Sequence, residues 1–119
     1  MFLHLGHTKL EVYKSSREFT FECYKLTKSL PDEEKYAMAS QIRRAALSVH
    51  LNIAEGSSRK SEVERKRYYE IARGSVIEID AALDVSNDLN YLKTFDSEKL
   101  GDTMIKMFKL LSGMIEPKH

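Results

Sequence analysis

Residues 40–75 read SQIRRAALSVHLNIAEGSSRKSEVERKRYYEIARGS, and this stretch decides the fold. Ile42, Ala45, Val49 and Ile53 recur at intervals of three and four, which places them on one helix face. Gly56 is the expected stop, because glycine enters the left-handed conformation at little cost. Ser57, Ser58, Arg59 and Lys60 form a short connection. Ser61 at an N-cap and Glu64 three residues later make a capping box that opens the next helix. Its stripe runs Tyr68, Ala72, Ser75, Ile79, Ala82, Ser86 and Leu89. No breaker stops it before Leu92, so it spans about 48 Å at 1.5 Å per residue. Ser and Ala are frequent in that stripe and Gly74 sits beside it, which lets a neighbouring helix approach closely.

The pattern extends in both directions. Val12, Ser16, Phe19, Cys23, Leu26 and Leu30 share a face of a preceding helix, with Tyr13 and Tyr24 flanking it. Pro31 ends that helix, and Asp32 with Glu33 and Glu34 suits the positive start of the next. Met38 leads the stripe of the second helix, with Tyr36, Ala46 and Leu51 adjacent. After the turn at Thr94 to Ser97, capped by Asp96 or Ser97, the stripe Leu100, Met104, Met107, Leu111 and Met114 defines a last helix. Ile105, Phe108 and Ile115 support it, and Pro117 stops it. Residues 1 to 8 read as an irregular lead-in. The expectation is an all-α protein, one domain over 1–119, with helices at about 9–30, 32–56, 61–92 and 97–115. Four amphipathic helices on short connections give an antiparallel up-down-up-down four-helix bundle.

Composition agrees. The chain has 119 residues, only two Pro and five Gly, no Trp, and abundant Ala, Glu, Lys, Leu and Arg. Cys23 is the single cysteine, so no internal disulfide forms, which suits a reducing cytoplasm. The start MFLHLGH lacks a basic n-region, and no apolar run approaches the ~20 residues of a membrane span. A soluble cytoplasmic protein is expected, without a membrane role.

Net charge is +1, so any electrostatic argument rests on local segregation. Arg43, Arg44, Arg59, Lys60, Arg65, Lys66, Arg67 and Arg73 cluster between Gln41 and Arg73, whereas Glu78 to Asp102 is acidic. Closely spaced cations neutralise phosphates and release counterions, and Tyr68 and Tyr69 adjoin them for base stacking. The competing interpretation is a solvated helix face with weak Glu–Lys pairs. Tyr68 falls on the apolar stripe, which favours the core over stacking. One of Arg43 and Arg44 must lie nearer the core, where it pairs with Glu78 or Glu55. A basic end and an acidic end also suit head-to-tail self-association, supported by apolar residues off the main stripes: Leu47, Leu51, Val76, Leu83, Val85 and Leu110.

Catalytic patterns are missing. Glu-x-x-His occurs once, at Glu116 to His119, after the last helix and across Pro117. His4 and His7 have ligand-like spacing but no partner cluster, His50 is a lone helix residue, and Cys23 lies on an apolar stripe. No glycine-rich phosphate loop, nucleophile elbow or Cys–Cys pair is present. A non-catalytic protein without cofactor or metal is expected.

The segment SQIRRAALSVHLNIAEGSSRKS followed by YYEIARGSVIEIDAAL resembles the four-helix-bundle family of 23S rRNA intervening-sequence proteins. LEVYKSSREFTFECYKLTKSLPDEEKYAMASQ fits that family's N-terminal part, and the resemblance is strong from about Leu10 to Leu92. SQIRRA, NIAEG and GS-x-x-E together are specific. The resemblance implies a small bacterial protein encoded within ribosomal RNA genes or free-standing. A related branch, the accessory proteins of diversity-generating retroelements, implies barrel-like homopentamers that bind nucleic acid, RNA or DNA, and a reverse transcriptase through a basic surface. Arg43 and Arg44 match the family's paired-arginine segment, and Arg59 the loop after Gly56. Lys60, Arg65, Lys66, Arg67 and Arg73 are added from charge alone. A scaffold whose charges serve ring assembly is the alternative.

Overall fold

The computed structural model describes residues 1–116. Four α-helices form, α1 (Glu11–Lys28), α2 (Met38–Ser57), α3 (Glu62–Asp88) and α4 (Glu98–Ile115), with 3-10 turns at Gly6–Lys9 and Asp32–Glu34. No strand occurs among the described residues. Pro117 and His119, read above as the stop of the last helix and half of a Glu-x-x-His pair, lie outside them.

The α1 stripe is buried at all six of its positions, from Val12 to Leu30. It meets Ile42, Ala45, Val49 and Ile53 of α2, Ala72, Val76 and Ile79 of α3, and Leu100, Met107 and Leu111 of α4 in one core. Each helix touches two neighbours, in the order α1, α2, α3, α4 and back to α1, so the four stand around a square. Pairings between neighbours run in opposite sequence sense. Ser16 meets His50 at 2.6 Å, Thr20 meets the Ala46 carbonyl at 3.2 Å, and Thr27 meets Arg43 at 2.8 Å. Ser57 meets Tyr69 at 2.9 Å, Ser48 meets Ser75 at 3.0 Å, and Met38 meets Ser86 at 2.6 Å.

Several local readings are revised by these contacts. Asp32 does not cap α2. Residues 32–34 make one 3-10 turn, and α2 begins at Met38 after Ala37 leaves helical geometry at φ −121°, ψ −99°. The turn is tied to the segment after α3, because Tyr91 donates its hydroxyl proton to Glu34 Oε2 at 3.1 Å. That tertiary bond, not the acidic helix start, sets the chain path here, and Tyr36 is left exposed. α3 stops at Asp88 rather than Leu92. Asn90 takes a left-handed φ of 63°, its N–H bonds the Asn87 carbonyl at 3.0 Å, and Tyr91 N–H bonds the Ser86 carbonyl at 2.9 Å. This is the Schellman pattern with Asn in glycine's place.

Gly56 does not stop α2 by turning left-handed. The helix runs through it to Ser57, and no glycine has a positive φ. Glycine is needed there for space: a Cβ would lie 2.8 Å from Tyr68 Cβ and 3.1 Å from Tyr69 Cε1. The α3 stripe is also shifted. Tyr69 is the buried member of its pair and Tyr68 is half-buried, while Val76, read as lying off the stripe, is in the core. At the start of α4 the Asp96 carboxylate accepts from Glu98 N–H at 3.1 Å, and Ser97 makes no side-chain cap. Ile105 and Phe108, expected to support the last stripe, are exposed.

The lead-in is not wholly irregular. His7, in the first 3-10 turn, packs edge-on to Tyr13 with ring centres 5.2 Å apart, and Tyr13 packs on His50 at 4.6 Å. Met1, Phe2 and Leu3 remain exposed.

Candidate nucleic-acid interface

The corner between α2 and α3 is built before it is charged. Tyr68 and Tyr69 lie against Gly56, and the Tyr69 hydroxyl shares a hydrogen bond with Ser57 Oγ at 2.9 Å. Ser61 Oγ accepts from Glu64 N–H at 3.3 Å, which supplies one half of the expected capping box and fixes where α3 starts. Between Glu55 and Arg67 the corner carries five cations and three carboxylates.

Two of those cations hold the corner together. Arg59 pairs with Glu55, donates to the Tyr68 hydroxyl at 3.2 Å, and lies over the Tyr68 ring with its guanidinium carbon 5.3 Å from the ring centre. The hydrogen bond to Glu55 is the largest cause that raises its proton affinity, followed by the charge of Tyr68. Arg65 Nη1 donates to the main-chain oxygens of Arg59 at 3.0 Å and Lys60 at 2.7 Å. It thereby closes the connection from the α3 side, since carbonyls at the end of α2 lack helical partners. The charge pattern offers both residues as phosphate ligands; the structure places both in internal contacts. Glu55 and Arg59 stand at the ordinary i,i+4 spacing, and the turn brings Arg59 to Tyr68 and Arg65 to the Arg59 and Lys60 carbonyls, five to nine positions apart.

Lys60, Lys66 and Arg67 are different. They are exposed, and their side chains make neither a hydrogen bond nor a salt bridge among the described residues. Glu62 and Glu64 are exposed beside them. The remaining sequence-derived candidates lie elsewhere. Arg43 Nε donates to Thr27 Oγ1 at 2.8 Å and lies 5.7 Å from the Tyr24 ring centre, so it braces α2 on α1. It pairs with neither Glu78, which accepts from Gln41, nor Glu55. Arg44 is exposed, about 18 Å up the α2 axis from Gly56 at 1.5 Å per residue. Arg73 leans to α4, where Nη1 donates to Ser112 Oγ at 3.2 Å. The eight cations therefore form one corner group of five and three separate positions.

His50, Glu22 and Cys23 lie half-buried or buried within the bundle. Ser16 donates to the Tyr13 carbonyl at 2.8 Å, which leaves Nδ1 of His50 to donate to Ser16 Oγ at 2.6 Å. Burial lowers the proton affinity of His50, with Arg17 and then His7 adding to the effect. Cys23 is fully buried, and burial with the adjacent Glu22 charge pushes its thiol up to about 12. Glu22 is itself buried and bound by Lys25 at 3.2 Å, with Lys99 of α4 at 3.9 Å. No helix among the described residues is long and apolar enough to cross a membrane.

Helix order, a single apolar core and a charged corner between the two longest helices define a small four-helix-bundle protein. The chain belongs to the family of 23S rRNA-intervening sequence proteins, whose family model matches residues 8–113. A comparison with curated proteins finds no match.

Proposed function

We propose that this protein is a non-catalytic, homo-oligomeric bundle of antiparallel up-down-up-down topology that binds RNA or other nucleic acid through the α2–α3 corner. The opposite sequence sense of the α1/α2 and α2/α3 pairs supports the topology. The observation that carries the binding role is the group Lys60, Lys66 and Arg67, three exposed cations whose side chains make no hydrogen bond or salt bridge among the described residues, one in the connection and two in the first turns of α3. Phosphate oxygens satisfy such groups, and binding releases counterions from the nucleic acid. Tyr68, half-buried under Arg59, offers a ring edge rather than an open stacking face, so backbone contact dominates over base contact. The lone buried Cys23 supports a cytoplasmic setting.

RNA affinity measured against salt tests this reading. Neutralising Lys60, Lys66 and Arg67 leaves the corner's internal bonds intact, unlike removal of Arg59 or Arg65. The expected result is weaker binding and a salt slope smaller by about 2, near 0.7 for each lost phosphate contact on single strands. Equal affinity and an equal slope would rule the corner out.

A second reading is a scaffold that presents its assembled surface to a protein, with charge serving assembly. The internal pairing of Arg59 and Arg65 favours it, because fewer cations remain free. It predicts no nucleic-acid binding at any salt and an oligomer that salt dissociates. A reverse transcriptase is the partner the family resemblance suggests.

A further inference from the structure

The first ten residues, MFLHLGHTKL, carry Phe2, Leu3, Leu5 and Leu10 and no carboxylate. They form only the turn Gly6–Lys9, none of whose residues is buried. Their hydrogen bonds are internal: Thr8 N–H donates to the Leu5 carbonyl at 3.2 Å and Leu10 N–H to the His7 carbonyl at 3.1 Å. Among the described residues no hydrogen bond or salt bridge joins residues 1–9 to a helix. The turn touches α1 and α2 alone. What holds it there is the His7 ring, edge-on to Tyr13 of α1, with Tyr13 packed in turn on His50 of α2. Beside this stack a gap of about 280 Å³ remains, bounded by Phe2, Leu3, His4 and Tyr13. The segment therefore rests on three rings and is otherwise loosely packed.

Every charged group that faces the stack is a cation. α1 sorts its charges by face. Glu11 pairs with Lys106 at 3.2 Å and Glu22 lies 3.9 Å from Lys99, both partners on α4. Glu18 falls seven residues after Glu11 and four before Glu22, on that same face. The α1 residues turned to α2 are instead Tyr13, Ser16, Thr20 and Tyr24, with Arg17 lining a groove beside His50 and Lys28 further along it. The lead-in adds His7 and Lys9, and α2 itself adds Arg43 two turns before His50. Glu55 of α2 is engaged by Arg59 at the corner. Because Nδ1 of His50 donates to Ser16, a further proton goes to Nε2, where no carboxylate receives it. Burial first, then Arg17 and His7, accordingly lower the proton affinity of this ring.

We propose that the His7–Tyr13–His50 stack is an acid-sensitive clasp: protonation of its histidines beside Arg17 releases residues 1–10 from a bundle that stays folded. Release carries the His7 ring away into water and uncovers the His50 edge, so the released form holds protons more readily than the docked one. Docking is therefore complete above the ordinary histidine range and is lost as pH falls through it. The bundle survives because its buried core contains none of the three rings. Release frees an arm bearing Phe2, Leu3 and Leu5 and bares one face of Tyr13, so the surface at this end of the bundle changes with pH. No residue of the α2–α3 corner takes part, and the clasp stands or falls apart from the binding role.

Amide hydrogen exchange of the full chain, corrected for the intrinsic pH dependence of the rate, tests the clasp about one pH unit above and below the ordinary histidine value. Protection at Thr8 and Leu10, whose N–H groups bond within the segment, is expected to fall about fivefold on the acid side, as for other partly exposed charge pairs. Val49 and Ile53, fully buried in α2, keep theirs. His50→Gln retains a donor for Ser16 but takes up no proton, and most of the fall is expected to vanish. Arg17→Glu, at an exposed position, sets a carboxylate beside His50 and is expected to hold the segment on both sides of the histidine range. Should His50→Gln leave the segment loose at both pH values, Arg17→Glu decides. Equal wild-type protection at the two pH values, an undiminished fall in Arg17→Glu, or a fall at Thr8 and Leu10 matched by one at Val49 and Ile53 would overturn the clasp.

Discussion

Gly56 and Gly74 both lie in helices, yet an added methyl group meets opposite surroundings at the two. At Gly56 it lands 2.8 Å from Tyr68 Cβ, an atom fixed to the α3 backbone, so the two longest helices must separate. Gly56→Ala is expected to destabilise the fold by about 1–3 kcal/mol through overpacking, more than its gain in helix propensity. At Gly74 nothing lies within 4 Å, and Gly74→Ala is expected to stabilise by about 0.5–1 kcal/mol. Urea denaturation of the two variants checks both signs; equal shifts would contradict the packing argument. Burial of His50 gives stability a pH dependence. Its proton affinity is lowered in the folded state from the ordinary value of 6.5, first by burial and then by Arg17 and His7. Below that pH the unfolded chain takes up this proton more readily than the folded one, so this contribution to stability is complete above 6.5 and lost as pH falls. His50→Gln should flatten the acid side of a plot of melting temperature against pH relative to wild type. An unchanged curve would show that Ser16 and Tyr13 hold the protonated ring as well as the neutral one.

Helix ends separate what periodicity reveals from what it hides. The Ser61 cap was readable because serine followed by Glu64 has one structural meaning before an apolar run, and Ser61→Ala is expected to cost about 1 kcal/mol of thermal stability. The end of α3 was hidden in Asn90, an ordinary residue in sequence that adopts φ 63° in the fold. Asn90→Gly should be tolerated there, whereas Asn90→Ala should lose about 1 kcal/mol, since only the alanine clashes in the left-handed region. Calorimetry of the pair distinguishes a Schellman stop from simple fraying, which predicts no difference. The α1 stripe was fully legible because Val12 to Leu30 has one apolar residue or small hydroxyl per turn and no competing phase. The phase of α3 was not, because Tyr68 and Tyr69 are adjacent and equally apolar; the Ser57 hydroxyl and the Gly56 gap choose between them. The start of α2 was missed for a related reason, since Glu34 bonds a tyrosine 57 residues away. The candidate site was legible as a cluster of charge but not as a set of free ligands. Whether Arg59 and Arg65 point inward depends on a turn geometry that brings the Tyr68 hydroxyl and two carbonyls into reach.

At the scale of the whole molecule, the corner is apart from the exposed apolar side chains on the α1/α2 and α3/α4 sides, so the proposed binding can be tested apart from the proposed assembly. The corner lies where α2 hands over to α3, while those side chains run along the α1/α2 and α3/α4 sides. On the proposed homo-oligomer each copy presents one corner. Lys60, Lys66 and Arg67 are three cations beside two exposed carboxylates, which limits what a single corner contributes. Several corners on one assembly act through effective concentration, and multivalent binding of this kind exceeds single-site affinity by about 10²–10⁴. The consequence depends on length of nucleic acid. An RNA of about 10 nucleotides reaches one corner, so the wild type and a variant kept at single-chain mass by Leu47→Glu with Leu51→Glu, two exposed α2 positions away from the corner, should bind it with the same Kd. An RNA long enough to bridge copies should bind the wild type at least tenfold more tightly than the variant, with a steeper salt dependence. Fluorescence anisotropy with both lengths decides the matter. Equal loss on short and long RNA would mean that the variant damaged the corner itself, and equal affinity on both would mean that each copy binds alone.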